Sequence, residues 1–452
     1  MTAFDGITAE LREAIEPLEL HEGDGVQVEV GLRRCLLSSD WSAEEHAFLD
    51  KLARKLDITR RIDVCYDDDW GKVDAAEITQ PWRSVAALLL CRAFAEQQTT
   101  DAEDPIVLKR VNVAHKALDY LAKVDKTMAE RLAQALATAQ RSYEPQNSTA
   151  TLATDAAPAV SGTRELPLTV LFSEGPIARA YLETIASLGL RPRKIVHLVS
   201  ALDVATGKEV LRWLPAGLRK PMAASMQRNR MFHWPDAIAR QHPDAVAAII
   251  DEVSASLGFN TATLQGAQRN KPLIEYGDRV DTLLIKNLND PVLLRYVQAE
   301  TGKQFLFTGG GIVPAELLDV PESKFIHVHP GYLPEIRGAD CLLWSILSRG
   351  RPSASAFYMA PGIDTGDVML AHWLPAISVA VAEKVDLVTR YRMAYALVDP
   401  WVRSAVLRDL LHTHTDFAAI AATAQEEASG LTYHFMHDQL RALALQELFP
   451  SS

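Results

Sequence analysis

Cysteine is scarce in this chain and shows no pairing pattern. Four cysteines, Cys35, Cys65, Cys91 and Cys341, are spread over 452 residues, and none form a C-x-x-C pair. This spacing argues against a disulfide framework and against a clustered cysteine metal site, and it favours a reducing compartment. The N-terminal stretch "MTAFDGITAELREAIEP" has early acidic residues and no apolar run, so it does not resemble a signal peptide. We therefore expect a cytoplasmic protein.

Positive charge and long apolar runs are also in short supply. There are 46 Lys and Arg against 58 Asp and Glu, a formal net charge of −12. Nucleic-acid binding needs a basic footprint, so the balance argues against nucleic acid as the main partner. The apolar run "SVAALLLCRAFA" is too short to span a bilayer, which predicts no membrane insertion. A hydrophobic content of 48% is ample for globular domains, and the length suggests two or three.

The first part of the chain has helical periodicity. The segment "SAEEHAFLDKLARKL" begins with a capping-box pattern, and its Leu and Ala residues recur at helical spacing. Further amphipathic segments follow, and they predict an N-terminal helical domain over residues 1–145. From 146 to 165 the chain is rich in Ser, Thr, Ala and Pro without periodicity, which is typical of a linker.

Residues 166–375 have a different pattern. Short apolar runs ("LPLTVLF", "KIVHLVS", "VDTLLIK", "QFLFTGG", "KFIHVHP") are separated by helical segments. This alternation predicts an α/β domain with a Rossmann-like, mostly parallel sheet. About 80 residues between the second and third runs are too long for a simple crossover and indicate an insertion. Residues 376–452 again have helical spacing, broken at Pro400, and are expected to form a helical C-terminal region.

Three motifs follow the predicted strands, where ligands bind in such sheets. A run of three glycines, Gly309 to Gly311, would let a ligand approach the backbone, or it forms a tight turn. His327 and His329 point to the same side of a strand. They could be metal ligands, a catalytic pair, or one functional and one packed histidine. Asp364, in "GIDTGDVML", could fix a histidine tautomer, although turns favour Asp and Gly in any case.

Taken together, the motifs are more specific. The order strand–GGGIVP, strand–HVHPGYLPEIRGA and then GIDTGD resembles the folate-dependent formyltransferases, from about residue 166 to 374. That family includes methionyl-tRNA, glycinamide ribonucleotide and sugar N-formyltransferases. Its hallmark turn has Asn-x-His-Pro, so the resemblance places the catalytic histidine at His329 and the catalytic aspartate at Asp364. The family's Asn falls on His327, which is a departure from the pattern.

The resemblance implies 10-formyltetrahydrofolate as the formyl donor and no metal. It places the donor against the backbone near Gly310, Gly311 and Ile312, and near Gly362 and Ile363. An amine would attack the formyl carbon, and the family's Asn would donate a hydrogen bond to the oxyanion. An imidazole at 327 can in principle also donate that bond, and two neighbouring imidazoles would titrate together.

The acceptor is expected to be a small-molecule amine, such as an amino sugar or an amino acid. Arg337 and Tyr332 of the same turn are candidates to bind it, with Arg337 able to hold a phosphate or a carboxylate. Three alternatives remain: a formyltetrahydrofolate hydrolase, a metal-dependent hydrolase using His327, His329 and Asp364, and a non-catalytic binding protein. The N-terminal helices could form a homodimer, cover the site or bind the acceptor.

Overall fold

The structure is a computed structural model. It describes residues 163–414 apart from 204, 205 and 302, together with 130, 133, 152–154, 420–425, 431–433, 435, 436 and 438–451. The predicted N-terminal helical domain and linker lie almost wholly outside the described residues. The chain divides into two compact units, one of residues 1–144, 347–349 and 428–444, and the other of residues 145–346, 350–427 and 445–452. The domain boundaries proposed from the sequence stay predictions.

The second unit contains a mixed sheet flanked by helices. The strands of the described chain are β1 (Arg164–Ser173), β2 (Leu190–Ser200), β3 (Val280–Ile285), β4 (Gln304–Phe307), β5 (Lys324–His329), β6 (Ile336–Gly338), β7 (Ser353–Tyr358), β8 (Val368–Trp373) and β9 (Leu431–Tyr433). The helices of the described chain are α1 (Pro176–Ser187), α2 (Ala216–Met231), α3 (His233–Gln241), α4 (Pro243–Leu257), α5 (Thr261–Gln268), α6 (Pro291–Ala299), α7 (Ala315–Leu318), α8 (Cys341–Arg349), α9 (Leu387–Met393), α10 (Asp399–Thr413) and α11 (Asp438–Leu448).

The main sheet has the strand order β3-β2-β1-β4-β5-β7-β8. Strands β1 to β5 pair in parallel, whereas β7 runs antiparallel to β5 and β8 antiparallel to β7. The prediction of a mostly parallel α/β sheet is therefore confirmed, and the five apolar runs identified from the sequence are β1 to β5. The two antiparallel strands were not identified from the sequence. They place further side chains beside β5, which carries the two histidines.

Both faces of the sheet are buried, as expected for parallel strands with near-continuous apolar runs. On one face the rings of Phe305 (β4) and Phe325 (β5) stack at 5.0 Å within a core that includes Leu171 and Val196. Helix α10 packs together with α1, β5 and β7. Burial of each such phenylalanine stabilises the fold by about 1.5–3 kcal/mol. The strand that carries the histidines is thus held rigidly from both sides.

The predicted insertion between β2 and β3 is helical. It comprises α2 to α5 and a short 3-10 turn at Leu273–Glu275. Helix α4 ends at Gly258, whose φ of 69° is the left-handed conformation common at helix ends. Helix α5 starts at Thr261, and the side chain of the preceding residue, Asn260, accepts a hydrogen bond of 3.0 Å from the Ala262 amide. The sharp turn between these helices is therefore encoded locally.

A π-helical turn separates α9 from α10. It covers Ala394–Val398, and Pro400 lies in the first turn of α10. Proline has no amide hydrogen to donate and is tolerated at a helix start, so the chain can begin a new helix here but cannot continue the old one regularly. The break predicted at Pro400 therefore takes the form of a widened turn. Turns of this kind are frequent near functional sites.

Candidate active site

Two of the three predicted site motifs lie where parallel strands end. The glycine run follows β4, His329 is the last residue of β5, and Asp364 lies in the loop between β7 and β8. Because β4 and β5 are parallel neighbours, their carboxyl ends meet at the same edge of the sheet. The glycine run and the histidine turn are therefore brought to one region. The loop between the antiparallel strands β7 and β8 joins them there, since Asp364 Oδ2 lies 3.4 Å from His329 Nδ1.

His329 is almost completely buried, at 3% exposed, and both ring nitrogens face acceptors. Its Nε2 lies 3.1 Å from the Ile336 carbonyl oxygen, and its Nδ1 lies 3.4 Å from Asp364 Oδ2. A carbonyl can only accept, so Nε2 carries a proton. Nδ1 can donate to the carboxylate only when the ring is an imidazolium. Burial lowers the pKa of His329 and the Asp364 carboxylate opposes that shift. A proton taken up at Nδ1 therefore has a ready partner.

Asp364 is held by one hydrogen bond to its carboxylate and one to its main-chain carbonyl. Its Oδ2 accepts a 3.0 Å hydrogen bond from the Gly338 amide, and its own carbonyl accepts one of 2.8 Å from Gln425 Nε2. The residue has a φ of 53°, which is uncommon for a residue with a side chain. The carboxylate is thereby fixed toward His329, and the surrounding loop stores backbone strain of the kind often found at functional sites.

The turn after His329 is clamped by one serine. Ser355 Oγ donates to the Gly331 carbonyl at 2.7 Å and accepts from the Leu333 amide at 2.9 Å. A Cβ at Gly331 would lie 2.7 Å from His329 Nε2 and would also collide with the Ile336 carbonyl oxygen. Glycine is thus required for the turn to fold back this closely over His329.

His327 differs from His329 in what it contacts. Its Nδ1 lies 3.1 Å from the Phe307 carbonyl oxygen, and its ring sits between the Phe307 and Phe357 rings at centroid distances of 5.9 and 6.0 Å. Burial, the nearby Arg403 and the neighbouring His329 lower the pKa of His327 to about 4, against weaker opposing effects that include Asp364. The ring is therefore neutral near pH 7, with its proton on Nδ1.

The two loops predicted to hold the donor are open. A side chain added at Gly310 or Gly311 would meet nothing within 4 Å, and Gly311 has a φ of 93°. Ile312 is 74% exposed, and in the other loop Ile363 is 48% exposed beside Gly362, whose φ is 127°. Exposed apolar side chains next to accessible backbone suit a flat, partly apolar ligand with polar edges.

The two predicted acceptor-binding residues are less accessible. Arg337 lies on β6 and is only 6% exposed. The Tyr332 ring stacks on that of Trp373 at a centroid distance of 5.3 Å and an angle of 7°. Arg351 lies over the other ring of this pair, with its guanidinium carbon 5.7 Å from the Trp373 centroid. The structure thus gives Tyr332 a packing role, and leaves little of Arg337 in contact with solvent.

The sequence interpretation missed a buried charged pair beneath β5. Asp399 is fully buried, its Oδ2 accepts from Arg403 Nε at 2.8 Å, and Arg403 Nη1 donates to the Val328 carbonyl at 2.9 Å. Tyr181 Oη bonds the same carbonyl at 3.3 Å. This carbonyl lies between His327 and His329 in the chain. The i, i+4 spacing of Asp399 and Arg403 was a visible signal, but it is usually that of a surface pair.

A second polar cluster involves Asp340, which immediately precedes α8. Its Oδ1 accepts hydrogen bonds from Tyr391 Oη at 3.0 Å and Tyr395 Oη at 2.7 Å. Tyr391 belongs to α9 and Tyr395 to the π-helical turn. The two phenols, one on α9 and one on the widened turn, therefore meet at a single carboxylate.

The described residues contain neither a metal-binding cluster nor a helix that could span a membrane. No group of three or more His, Cys, Asp or Glu side chains there is arranged to hold a metal ion. In the same part of the chain, no helix has both the length and the apolarity needed to cross a bilayer.

Comparison with known proteins gives partial matches. No family model matches the chain. It is 30% identical over 99 residues to a methionyl-tRNA formyltransferase of Syntrophus aciditrophicus (strain SB), covering 22% of this chain and 32% of that protein. It is 39% identical over 62 residues to a methionyl-tRNA formyltransferase of Clostridioides difficile (strain 630), covering 14% and 20% respectively. The chain therefore spans about a third or less of these relatives.

Among solved structures, a sugar N-formyltransferase from Shewanella sp. FDAARGOS_354 aligns over 62% of this chain and 87% of its own, at 12% identity and a TM-score of 0.33. Over the matched segment, the resemblance of this chain to the formyltransferase family is confirmed.

Proposed function

We propose that this protein transfers a formyl group from 10-formyltetrahydrofolate to the amine of a small metabolite. The proposal is carried by one observation, the buried His329–Asp364 pair at the end of β5. Two open loops with accessible backbone flank the motifs that supply this pair. The confirmed resemblance to formyltransferases over part of the chain supports the same reaction.

The reaction needs one proton to be removed and one to be supplied. The lone pair of the amine attacks the formyl carbon, and the carbonyl electrons move onto oxygen to give a tetrahedral intermediate. The bond from carbon to N10 of the folate then breaks, N10 gains a proton, and the former amine loses one. His329 is suited to hold the mobile proton, because its imidazolium form places Nδ1–H toward Asp364. Proton transfer by a positioned group of this kind contributes about 10²–10⁴-fold to rate.

The donor would lie along the two loops named above. The Gly310 and Gly311 backbone amides would meet polar edges of the pterin, and Ile312 and Ile363 would cover its apolar surface. The acceptor is an amine, and we propose an amino sugar or an amino acid. Homodimer formation through the N-terminal helices and a cytoplasmic location remain predictions from the sequence.

The test is incubation with 10-formyltetrahydrofolate and a panel of amine metabolites, with mass spectrometry for a gain of CO on any of them. His329→Ala should abolish the product. His412→Ala is the matched control, since His412 is exposed at the end of α10 and should leave the product unchanged. Full activity of the His329→Ala protein would refute the mechanism.

The same experiment separates the alternatives. Formate release without any amine would indicate a formyltetrahydrofolate hydrolase. Activity that requires an added metal would indicate the metal-dependent hydrolase. Donor binding without turnover would indicate a binding protein.

A further inference from the structure

His327 stands where related enzymes have an asparagine that donates a hydrogen bond, and its contacts in this structure argue for a different role. The backbone pairing of β4 with β5 ends at Leu306 and Ile326. Just beyond that point, His327 Nδ1 donates a hydrogen bond of 3.1 Å to the Phe307 carbonyl oxygen. A carbonyl oxygen has no proton to give, so the Nδ1 proton is committed to this bond.

The other ring nitrogen, Nε2, therefore carries an unprotonated lone pair. In a neutral imidazole, a protonated Nδ1 leaves Nε2 as an acceptor. The structure shows no hydrogen-bond partner for Nε2 of His327 among the described residues, and the residue is only half-buried. The Phe307 and Phe357 rings hold the imidazole in place. Nε2 cannot donate to an oxyanion without the ring taking up a second proton.

A second proton on this ring is disfavoured by its surroundings. The groups that act on it are Arg403 of α10, Asp364 of the β7–β8 loop and His329 of the same strand. Burial, the positive charge of Arg403 and the neighbouring imidazole all disfavour an imidazolium at 327, while Asp364 favours it. Near neutral pH the ring thus stays a hydrogen-bond acceptor on its open side.

We propose that His327 is the general base that accepts the proton of the attacking amine at Nε2. The inference rests on the proposed formyl transfer. As the bond from the amine to the formyl carbon forms, the nitrogen becomes positively charged and its proton becomes strongly acidic, so a weak base is sufficient. His329 enters this step as the imidazolium paired with Asp364, releases one proton to N10 as the bond from carbon to N10 breaks, and is left as neutral imidazole. Solvent exchange afterwards returns both groups to their starting states.

The decisive variant is His327→Asn, which installs the side chain of the related enzymes. Asparagine can donate a hydrogen bond to an oxyanion but cannot accept a proton. Because the natural acceptor is not identified, the probe is hydroxylamine, with formation of formohydroxamate from 10-formyltetrahydrofolate as the readout. We expect kcat to fall by about 10²-fold in the variant with little change in KM for the donor, and the acidic limb of the pH profile to disappear. His412→Asn, the same change at an exposed position, should have no effect.

Two further measurements test the role of His327 without relying on the His327→Asn variant: chemical rescue by imidazole and nitrogen-15 NMR of the wild-type protein. Added imidazole should restore part of the rate of His327→Gly. Nitrogen-15 spectra of histidine-labelled wild-type protein should show His327 protonated on Nδ1 and unprotonated on Nε2. An Asn variant as fast as or faster than wild type, or a spectrum with the proton on Nε2, would overturn the role. No transfer or hydrolysis by the wild-type protein would instead end the proposed function, and this role with it.

Discussion

The buried Asp399–Arg403 pair offers the sharpest prediction for stability and chemistry together. Asp399 is 0% exposed, and Arg403 supplies its hydrogen bond of 2.8 Å as well as one of 2.9 Å to the Val328 carbonyl. We consider Arg403→Met, which keeps the length of the side chain and removes its charge and its donors. The substitution leaves Asp399 buried with no cationic partner.

The loss of stability in Arg403→Met comes from the buried Asp399 carboxylate that no longer has a cationic partner. Removing one member of a buried ion pair typically destabilises a protein by about 3–5 kcal/mol. Burial already raises the pKa of Asp399, so protonation of the orphaned carboxyl limits the loss and favours the lower end of the range. A loss of this size lowers Tm by roughly 10 °C for a unit of a few hundred residues. Asp399→Leu combined with Arg403→Met should recover most of it, because no unpaired charge remains.

Thermal and urea unfolding of the two single variants and the double variant measure this coupling. The same proteins also report on the histidines, because the Arg403 charge lowers the pKa of both His327 and His329. Arg403→Met should therefore raise both pKa values in an NMR titration. Additive losses of stability across the cycle, together with unchanged histidine titrations, would refute the reasoning.

Three further outcomes are expected. Gly331→Ala should lower kcat by about 10²-fold with the fold retained. The new Cβ displaces His329, and a shift of about 1 Å at a catalytic group lowers the rate by that order. Steady-state kinetics and circular dichroism measure the two effects, and a wild-type kcat would contradict the prediction. Asp364→Asn should lower the pKa of His329 further, since the carboxylate is what raises it, and an NMR titration that finds a higher pKa would show the pairing to be wrong. The free energy of unfolding should fall as the pH drops from about 6.5 toward 4. Burial lowers the pKa of His197 to about 4, so the unfolded chain binds a proton there first, with a total loss of about 3 kcal/mol from this residue. His197→Gln should flatten the curve in urea titrations over this range, and an equally steep curve would count against the assignment.

Local patterns in the sequence were enough to identify the parallel part of the sheet. Each of β1 to β5 is a short apolar run bounded by turn-forming residues, and burial on both faces requires such a run. The antiparallel strands β7 and β8 were not predicted, because "SASAFY" consists mostly of small residues and "VMLAHW" lacks the regular alternation of apolar and polar residues that indicates a strand. Pairing partners for such strands depend on neighbours distant in the chain.

The candidate site likewise has features that the sequence predicted and features that only the folded structure shows. The sequence by itself determined the order and spacing of three motifs, which are linear features, and the family resemblance that they carry predicted His329 and Asp364 as one pair. Only the tertiary structure decided that His327 donates from Nδ1 to Phe307, twenty residues earlier in the chain, and that Arg403 lies beneath both histidines. A histidine's role depends on which nitrogen carries the proton, and that is set by a carbonyl brought close only by folding.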